Sequence, residues 1–267
     1  AAEKEIIVQT PYAIVGNKYY KLIRKIRKNS PNIRFRALTN SVAASDHIYA
    51  AGIALKQRRI QIEELQFEMH AAKPVPGDVR ELVSRYDRLM QETASVQDPS
   101  RQGDPDLLDL DIEGPRFCVH SKSMVIDGSV SYVGSHNFDP RSFNLNTECG
   151  ILIKDAAFSG HVRAIIEKTM NARNSWVIAA REYPPVMAEL NSLITFITSN
   201  LPMFDVWPLE HVTCYELKDG CEPVPPTHED FYHNYRDVGP LPGLDIGVKS
   251  VQAQLVRGFA GFASPLM

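Results

Sequence analysis

The residues best suited to chemistry in this chain lie within eighteen positions, between His120 and Asn137. They form the pattern His120-x-Lys122-x4-Asp127, followed after six residues by Gly134-Ser135-x-Asn137. An imidazole serves as nucleophile or general acid near neutral pH, and a lysine supplies positive charge to phosphoryl oxygens. An asparagine amide and a serine hydroxyl add hydrogen bonds to the same group. This set of groups predicts attack on a phosphodiester without a metal ion.

Strand geometry gives each side chain a different role. His120 and Lys122 are two residues apart, so on a strand both project from one face toward one phosphate. Asp127 stands at odd spacing from His120, and we interpret it as structural, bonded to backbone or to a neighbouring side chain. Gly134 allows a close approach of backbone. Glu148 is the carboxylate we expect on the imidazole, where it would fix the tautomer and support the imidazolium.

The elements around this pattern alternate between strands and helices. Strand signals occur at residues 5–11, 33–38, 62–67, 116–120, 123–127, 131–133 and 148–153. Helical spacing occurs at residues 17–29, 45–59 and 155–171. This order predicts an α/β layer fold, with a mixed β-sheet flanked by helices.

Two stretches depart from that order. Residues 70–114 combine a Pro/Gly loop, a charged helix at 78–95 and a polar loop rich in breakers, which indicates an insertion. Residues 176–267 carry two helix candidates, 184–199 and 245–262, around a proline-rich middle. We therefore divide the chain into a lobe, residues 1–175, and a helical or irregular C-terminal extension, residues 176–267, packed on the lobe.

Composition excludes several classes of protein. The 267 residues carry a net charge of −3, so a global basic field for nucleic acid is absent. No run of about 18 apolar residues occurs, which predicts no membrane-spanning helix. Four cysteines are too few for a disulfide scaffold: we expect Cys118 and Cys149 to be buried thiols, and Cys214 and Cys221 to be able to pair across a turn. No metal-binding motif is present.

Two further segments allow more than one interpretation. Residues 17–36 contain eight basic side chains and no acidic one. They indicate a solvated helix face, a surface for anionic lipid headgroups, or contacts to a nucleic-acid backbone, in that order of preference. The apolar spacing of residues 245–267 indicates docking onto the body of the protein or attachment to a membrane interface.

The pattern resembles the HxKxxxxD-(x)6-GSxN signature of the phospholipase D superfamily. Residues 134–148, GSHNFDPRSFNLNTE, are similar to the GSxNxDPRSxxLNTE segment of its bacterial cardiolipin synthase-like branch. Residues 7–12 and the segment that begins at residue 38 also resemble that branch, so the similarity runs over about residues 5–175. These segments resemble the second lobe of a two-lobe enzyme. The resemblance implies a phospholipase D-like sheet, catalysis without metal or cofactor, and a phosphohistidine intermediate.

In that family two HxKxxxxD motifs face each other, and this chain contains one. The resemblance therefore implies a complementary lobe, in the other half of the same enzyme or in a second copy. It implies that His120 is the general acid, with nucleophile as the alternative, that Lys122, Ser135 and Asn137 bind the phosphate, and that Glu148 supports the imidazole.

The resemblance implies hydrolysis or phosphatidyl transfer on glycerophospholipids. The expected partners are a phospholipid substrate and a membrane surface, with nucleic acid disfavoured. The expected location is membrane-associated, in a bacterial envelope or secreted. Two alternatives remain: a homodimeric single-motif phosphodiesterase or nuclease, and a lipid-binding lobe without catalysis.

Overall fold

One mixed sheet dominates the computed structural model, which describes residues 2–95, 115–182 and 211–244. Its strands are β1 Glu5–Gln9, β2 Arg34–Asn40, β3 Phe67–Ala72, β4 Lys122–Ile126, β5 Val130–Gly134, β6 Gly150–Lys154, β7 Ser175–Ala180, β8 Val212–Leu217 and β9 Tyr235–Gly239. They lie in the order β6-β5-β4-β1-β2-β3-β7-β8-β9. Strands β1, β2 and β3 are parallel, and the other pairs are antiparallel. The predicted mixed α/β fold is confirmed.

Helices pack on both faces of this sheet. They are α1 Asn17–Asn29, α2 Ile48–Arg59, α3 Val79–Leu82, α4 Tyr86–Ser95, α5 Pro140–Asn144, α6 Ala156–Met170 and α7 Phe231–Asn234. Successive side chains of a strand point to opposite faces. In β1, Ile6 accordingly packs with Ile23 of α1, and Ile7 packs with Ile166 of α6. The central strands are therefore covered on both sides, as parallel strands require.

Most of the predicted site residues lie along one edge of the sheet, the edge formed by the carboxyl ends of β1 and β2. The parallel strands β1 and β2 end there, β4 begins there, and β5 ends there. The register pairs Gln9 of β1 with Ser123 of β4, and Lys122 with Gly134 at the end of β5. Loops that follow β1, β2 and β5 therefore meet the residues that precede β4. Ligands commonly bind at the carboxyl ends of parallel strands in open sheets.

Several local expectations were wrong. Residues 62–67 do not form a strand: Ile60–Glu64 is a π-helical turn that continues α2, and the strand is Phe67–Ala72. Residues 116–120 have no strand conformation. The helix expected at residues 78–95 is interrupted, and forms the short α3 and α4. Apolar and charged residues alternate similarly in a short amphipathic helix and a strand, which explains the first error.

After residue 175 the sheet continues instead of ending. Strands β7, β8 and β9, which the sequence did not reveal, extend it beyond β3. The two helix candidates at residues 184–199 and 245–262, and the amphipathic tail, lie outside the described residues. Among the described helices none has the length and apolar character to cross a bilayer.

The cysteines also differ from expectation. Cys149 is exposed and Cys118 is half-buried, so neither is a fully buried thiol. Cys214 is buried and Cys221 is half-buried, and no disulfide joins the two. Desolvation, with the charge of Asp46 next in importance, raises the pKa of Cys118 to about 11. Cys118 therefore stays a thiol near neutral pH and is a poor nucleophile.

Candidate active site

His120 lies immediately before β4, and a side chain from β2 holds the residue that precedes it. The Nδ2 of Asn40 donates to the Val119 carbonyl oxygen at 2.9 Å, and the Val119 N–H donates to Oδ1 of Asn40 at 2.8 Å. The Asn40 side chain thus bonds both backbone groups of Val119, in place of the backbone bonds of a neighbouring strand. Val119 itself packs in the core. His120 is thus fixed at its backbone, and 68% of its side chain is exposed.

A carboxylate lies beside the imidazole, and it belongs to Asp46. Asp46 Oδ2 is 3.5 Å from Nδ1 of His120. The hydroxyl of Tyr12 donates to Oδ1 of the same carboxylate at 2.6 Å. Burial, followed by this hydrogen bond, raises the pKa of Tyr12, so the phenol remains a donor near neutral pH. The series Tyr12–Asp46–His120 joins the ends of β1 and β2 to the start of β4.

Lys122 opens β4, on the strand paired with Gly134. Its Nζ donates to the carbonyl oxygen of His120 at 2.7 Å, which folds the side chain back toward the histidine. Partial burial lowers the pKa of Lys122, against the opposing charges of Asp46 and Glu148. These carboxylates favour the charged form of the ammonium, whereas burial opposes it.

Asp127 lies at the opposite end of β4 and bonds to backbone. Its carboxylate accepts the N–H groups of Glu3, Lys4 and Glu5 at 2.8 to 2.9 Å. Burial raises the pKa of Asp127, and these three hydrogen bonds outweigh it, so the pKa is below its ordinary value. Asp127 adopts a positive φ of 49° in the turn to β5. The carboxylate thus ties the start of β1 to that turn.

Ser135 and Glu148 bond to each other across the β5–β6 connection. The Ser135 hydroxyl donates to Oε2 of Glu148 at 2.5 Å, and the Nδ2 of Asn146 donates to Oε1 at 3.0 Å. The bond from Ser135 is the main cause that lowers the pKa of Glu148 to about 2. Ser135 also accepts the N–H of Cys149 at 2.9 Å. The structure places Glu148 on Ser135, whereas the carboxylate beside His120 is Asp46.

Gly134 is required where β5 and β6 come together. A Cβ atom at this position would lie 2.5 Å from the carbonyl oxygen of Cys149 and would also overlap Tyr132 and Gly150. Gly150 faces Gly134 in the register. The absence of side chains on this pair lets the strands approach and positions Ser135, as the sequence predicted for Gly134.

Asn137 is anchored through its backbone. The hydroxyl of Thr10 donates to the Asn137 carbonyl oxygen at 2.5 Å, and the Asn137 N–H donates to the hydroxyl of Ser142 at 3.2 Å. Asp139 caps α5 by accepting the N–H of Ser142 at 2.7 Å. The Oδ1 of Asn137 is buried with no hydrogen-bond partner among the described residues. This oxygen is an acceptor and cannot bind phosphate oxygens, so a bond from Asn137 to a phosphate would have to come from its Nδ2.

The loop after Asn137 is buttressed by an aromatic cluster that includes α1. Tyr19 lies edge-on to His136 and Phe143, and its hydroxyl is 3.3 Å from Nε2 of His136. The Nδ1 of His136 accepts the N–H of Phe138 at 2.8 Å. His136 thus holds the loop through these contacts, and helix α1 lies directly against the loop.

The structure therefore brings most of the predicted groups to one sheet edge, namely His120, Lys122, Ser135, Asn137 and Glu148. Asp127 lies at the other edge. Tyr12, Thr10, Asn40 and Asp46 belong to the same edge and were not predicted as site residues. The signal available for them was position, since all four follow or end the parallel strands β1 and β2.

Two bacterial proteins are similar to parts of this chain. An uncharacterized protein of Helicobacter pylori (strain J99) is 26% identical over 180 residues, which cover 66% of this chain and 28% of that protein. Cardiolipin synthase C of Escherichia coli is 31% identical over 136 residues, which cover 50% of this chain and 22% of that protein. This chain thus spans less than a third of the length of either relative.

Solved structures with a similar fold include NucT from Helicobacter pylori, with a TM-score of 0.41, 12% identity, and coverage of 65% of this chain and 82% of that one. Phosphatidylserine synthase of Haemophilus influenzae gives a TM-score of 0.39, 18% identity, and coverage of 74% and 40%. The family model described as "Cardiolipin synthase, PLD-like domain" matches residues 1–170. The chain therefore belongs to the phospholipase D-like domain family of the cardiolipin synthases.

Proposed function

We propose that this chain is one lobe of an enzyme that transfers the phosphatidyl group of a glycerophospholipid to water or to another alcohol. The observation that carries the proposal is the exposed imidazole of His120, whose Nδ1 faces Asp46 at 3.5 Å on the edge that also holds Lys122 and Asn137. The relative named cardiolipin synthase supports the lipid substrate. Each of these residues matches a distinct requirement of phosphodiester cleavage.

The first half-reaction needs a nucleophile, charge neutralisation and an acid. A histidine of the complementary lobe attacks phosphorus, forming a nitrogen–phosphorus bond as the bond to the headgroup oxygen breaks. His120 donates its Nε2 proton to that oxygen, so the headgroup leaves as a neutral alcohol. Lys122 and the amide of Asn137 bind the non-bridging oxygens, where negative charge is concentrated.

The second half-reaction reverses these roles. Water or an acceptor alcohol gives a proton to the now neutral His120 and attacks phosphorus, which breaks the nitrogen–phosphorus bond. Asp46 supports the imidazolium form of His120 in both half-reactions, because its Oδ2 faces Nδ1 and leaves Nε2 directed toward the substrate. Tyr12 holds that carboxylate through its hydroxyl. Glu148 has a positioning role through Ser135.

The exposure of His120 supports the need for a complementary lobe. Electrostatic groups act strongly on a phosphoryl group only where water is excluded, and 68% of the His120 side chain is exposed here. A second lobe with its own HxKxxxxD would supply the nucleophile and cover this edge. We further propose that the enzyme works at a membrane surface, where its lipid substrate resides.

The test is lipid turnover by this chain together with its complementary lobe, after native mass spectrometry has defined the assembly. Phosphatidylglycerol in neutral detergent micelles is the substrate, and phosphatidic acid, cardiolipin and free glycerol are measured. We expect His120→Ala to reduce turnover at least 100-fold, in line with the typical contribution of general acid–base catalysis. The matched control is His161→Ala, an exposed histidine on α6, which should retain full turnover.

The other outcomes would reject the role of His120 or support a different function. Full turnover by His120→Ala would remove the assigned acid. Cleavage of DNA by a homodimer, without lipid turnover, would indicate the single-motif phosphodiesterase. Lipid binding that survives His120→Ala, with no turnover by the wild-type assembly, would indicate a lobe that only binds lipid.

A further inference from the structure

Helix α1 presents one basic face to the solvent. Five of its exposed residues recur at intervals of three or four, the spacing that places side chains on one side of a helix. We call this set the lysine stripe: Lys18, Lys21, Leu22, Lys25 and Lys28. The opposite side of α1 packs against the sheet through Ile23. The stripe is about 15 Å long, from the rise of an α-helix.

The ion pairs that hold the described part of the fold do not include the four lysines of this stripe. The neighbouring arginines behave differently. Arg27 donates to the carbonyl oxygens of Leu65 and Gln66 at 2.8 Å, and Arg36 bonds Glu68 and Glu167. Arg27 and Arg36 therefore hold the fold, whereas the four lysines face outward, as does Arg24.

The lysine stripe begins beside the candidate active site. The Nζ of Lys18 lies 4.4 Å from the centre of the Phe143 ring, in the helix that follows Asn137. Phe143 is 43% exposed, and Leu145, which follows it, is 81% exposed. A surface bound by the stripe would therefore also reach apolar side chains next to the groups that bind phosphate.

We infer that the lysine stripe docks this lobe on a bilayer that contains anionic phospholipid. Lysines near such a surface are attracted by its negative potential, and their flexible stems lie along the interface. Leu22, 50% exposed in the middle of the stripe, gains by burial in an acyl interface but gains nothing against a nucleic-acid backbone. This inference deepens the proposed function and rests on it, because docking here delivers headgroups to His120.

The test measures binding apart from turnover. The triple variant Lys21→Gln, Lys25→Gln, Lys28→Gln leaves Lys18 on Phe143 intact, and its partition onto vesicles is followed by sedimentation. The vesicles contain phosphatidylcholine alone or equal parts of phosphatidylcholine and phosphatidylglycerol. Each lysine near an anionic surface strengthens binding about fivefold, so the variant should bind the anionic vesicles about 100-fold more weakly.

A matched control removes the same charge elsewhere. The triple variant Lys4→Gln, Lys154→Gln, Lys218→Gln changes exposed lysines outside α1, two of them at the sheet edge opposite the site. It should bind anionic vesicles within about threefold of the wild type, because these lysines are outside the stripe. Turnover of phosphatidylglycerol at a low mole fraction in neutral detergent micelles, where detergent dilutes the anionic charge of the surface, should be unchanged in both triple variants.

The inference would be overturned if the stripe variant bound anionic vesicles as tightly as the wild type. It would also be overturned if the stripe variant and the control variant lost the same affinity. Loss of single-stranded DNA binding with vesicle binding intact would assign the stripe to nucleic acid. Loss of assembly in native mass spectrometry would assign it to the complementary lobe. If the wild type docks on vesicles but turns over no lipid, the proposed function fails while the docking surface remains.

Discussion

Replacing Asp46 with asparagine removes the negative charge beside His120 and preserves the shape of the side chain. The amide can still accept the hydroxyl of Tyr12, so the ends of β1 and β2 should remain joined. Asp46 does not cap α2, since the residue that does so is His47. We therefore expect Asp46→Asn to fold normally and to lower the turnover number, with little change in KM.

The magnitude follows from the separation and the exposure of the pair. At 3.5 Å, Coulomb's law gives about 1.2 kcal/mol in water and about 5 kcal/mol at an effective dielectric constant near 20. The side chains of His120 and Asp46 are 68% and 43% exposed, so solvent screening makes the smaller figure the relevant one. A loss of about 1 kcal/mol lowers kcat roughly fivefold, and a covering lobe that excludes water would increase the effect.

The assay compares two substrates that differ in their leaving group. A glycerol headgroup needs a proton as it departs, whereas a p-nitrophenyl phosphodiester releases a stable phenolate without one. If His120 is the general acid, Asp46→Asn slows the first-turnover release of glycerol and leaves the first-turnover release of p-nitrophenolate nearly unchanged. If His120 is the nucleophile, both substrates slow equally, because both require the nitrogen–phosphorus bond.

A second histidine–aspartate pair in the chain provides the control. His228 Nδ1 is 3.6 Å from Oδ2 of Asp230, and both side chains are exposed to an extent similar to the site pair. Asp230→Asn removes an equivalent charge and should change turnover less than twofold, as for most surface substitutions away from a site. The reasoning is refuted if Asp46→Asn retains wild-type kcat for the glycerol substrate, or if Asp230→Asn is equally slow.

Three further outcomes test the supporting structure. Asp127→Ala leaves three backbone N–H groups without their acceptor, and should lower the free energy of unfolding by about 1–2 kcal/mol in urea titrations at neutral pH. Because the pKa of Asp127 is depressed in the folded state, the stability that its carboxylate contributes is present above its ordinary pKa and is lost as the pH falls below that value. A difference in unfolding free energy between wild type and variant that did not change with pH would contradict the assignment. Gly134→Ala forces apart β5 and β6 and should destabilise by about 1–3 kcal/mol, measured the same way. Glu148→Gln should lower turnover and leave vesicle binding unchanged. It should shift no inflection of the pH–rate profile in the neutral range, because the pKa of Glu148 is already about 2. A shifted inflection would mean that Glu148 acts directly on the titrating group.

Local patterns in the sequence were sufficient where the contacts are local. Lys122 and Gly134 face each other because β4 and β5 form a hairpin, whose register depends on a short turn. The glycine was predictable for the same reason, since a tight pairing of adjacent strands leaves no room for a side chain. The mixed sheet itself followed from the alternation of strand and helix signals. Two strand assignments were wrong: residues 62–67, where a short amphipathic helix fits the same pattern, and residues 116–120, which have no regular structure.

The sequence by itself determined which groups could act on a phosphodiester, because residue type and spacing fix the chemistry of His120 and Lys122. Only the tertiary structure decided which carboxylate accompanies the histidine. Asp46 reaches His120 from a loop 74 positions earlier, and the parallel pairing of β1 with β2, together with the antiparallel pairing of β1 with β4, brings them to one edge. Glu148 is nearer in sequence, yet it bonds Ser135. Contacts of this kind depend on strand order, which no local pattern encodes.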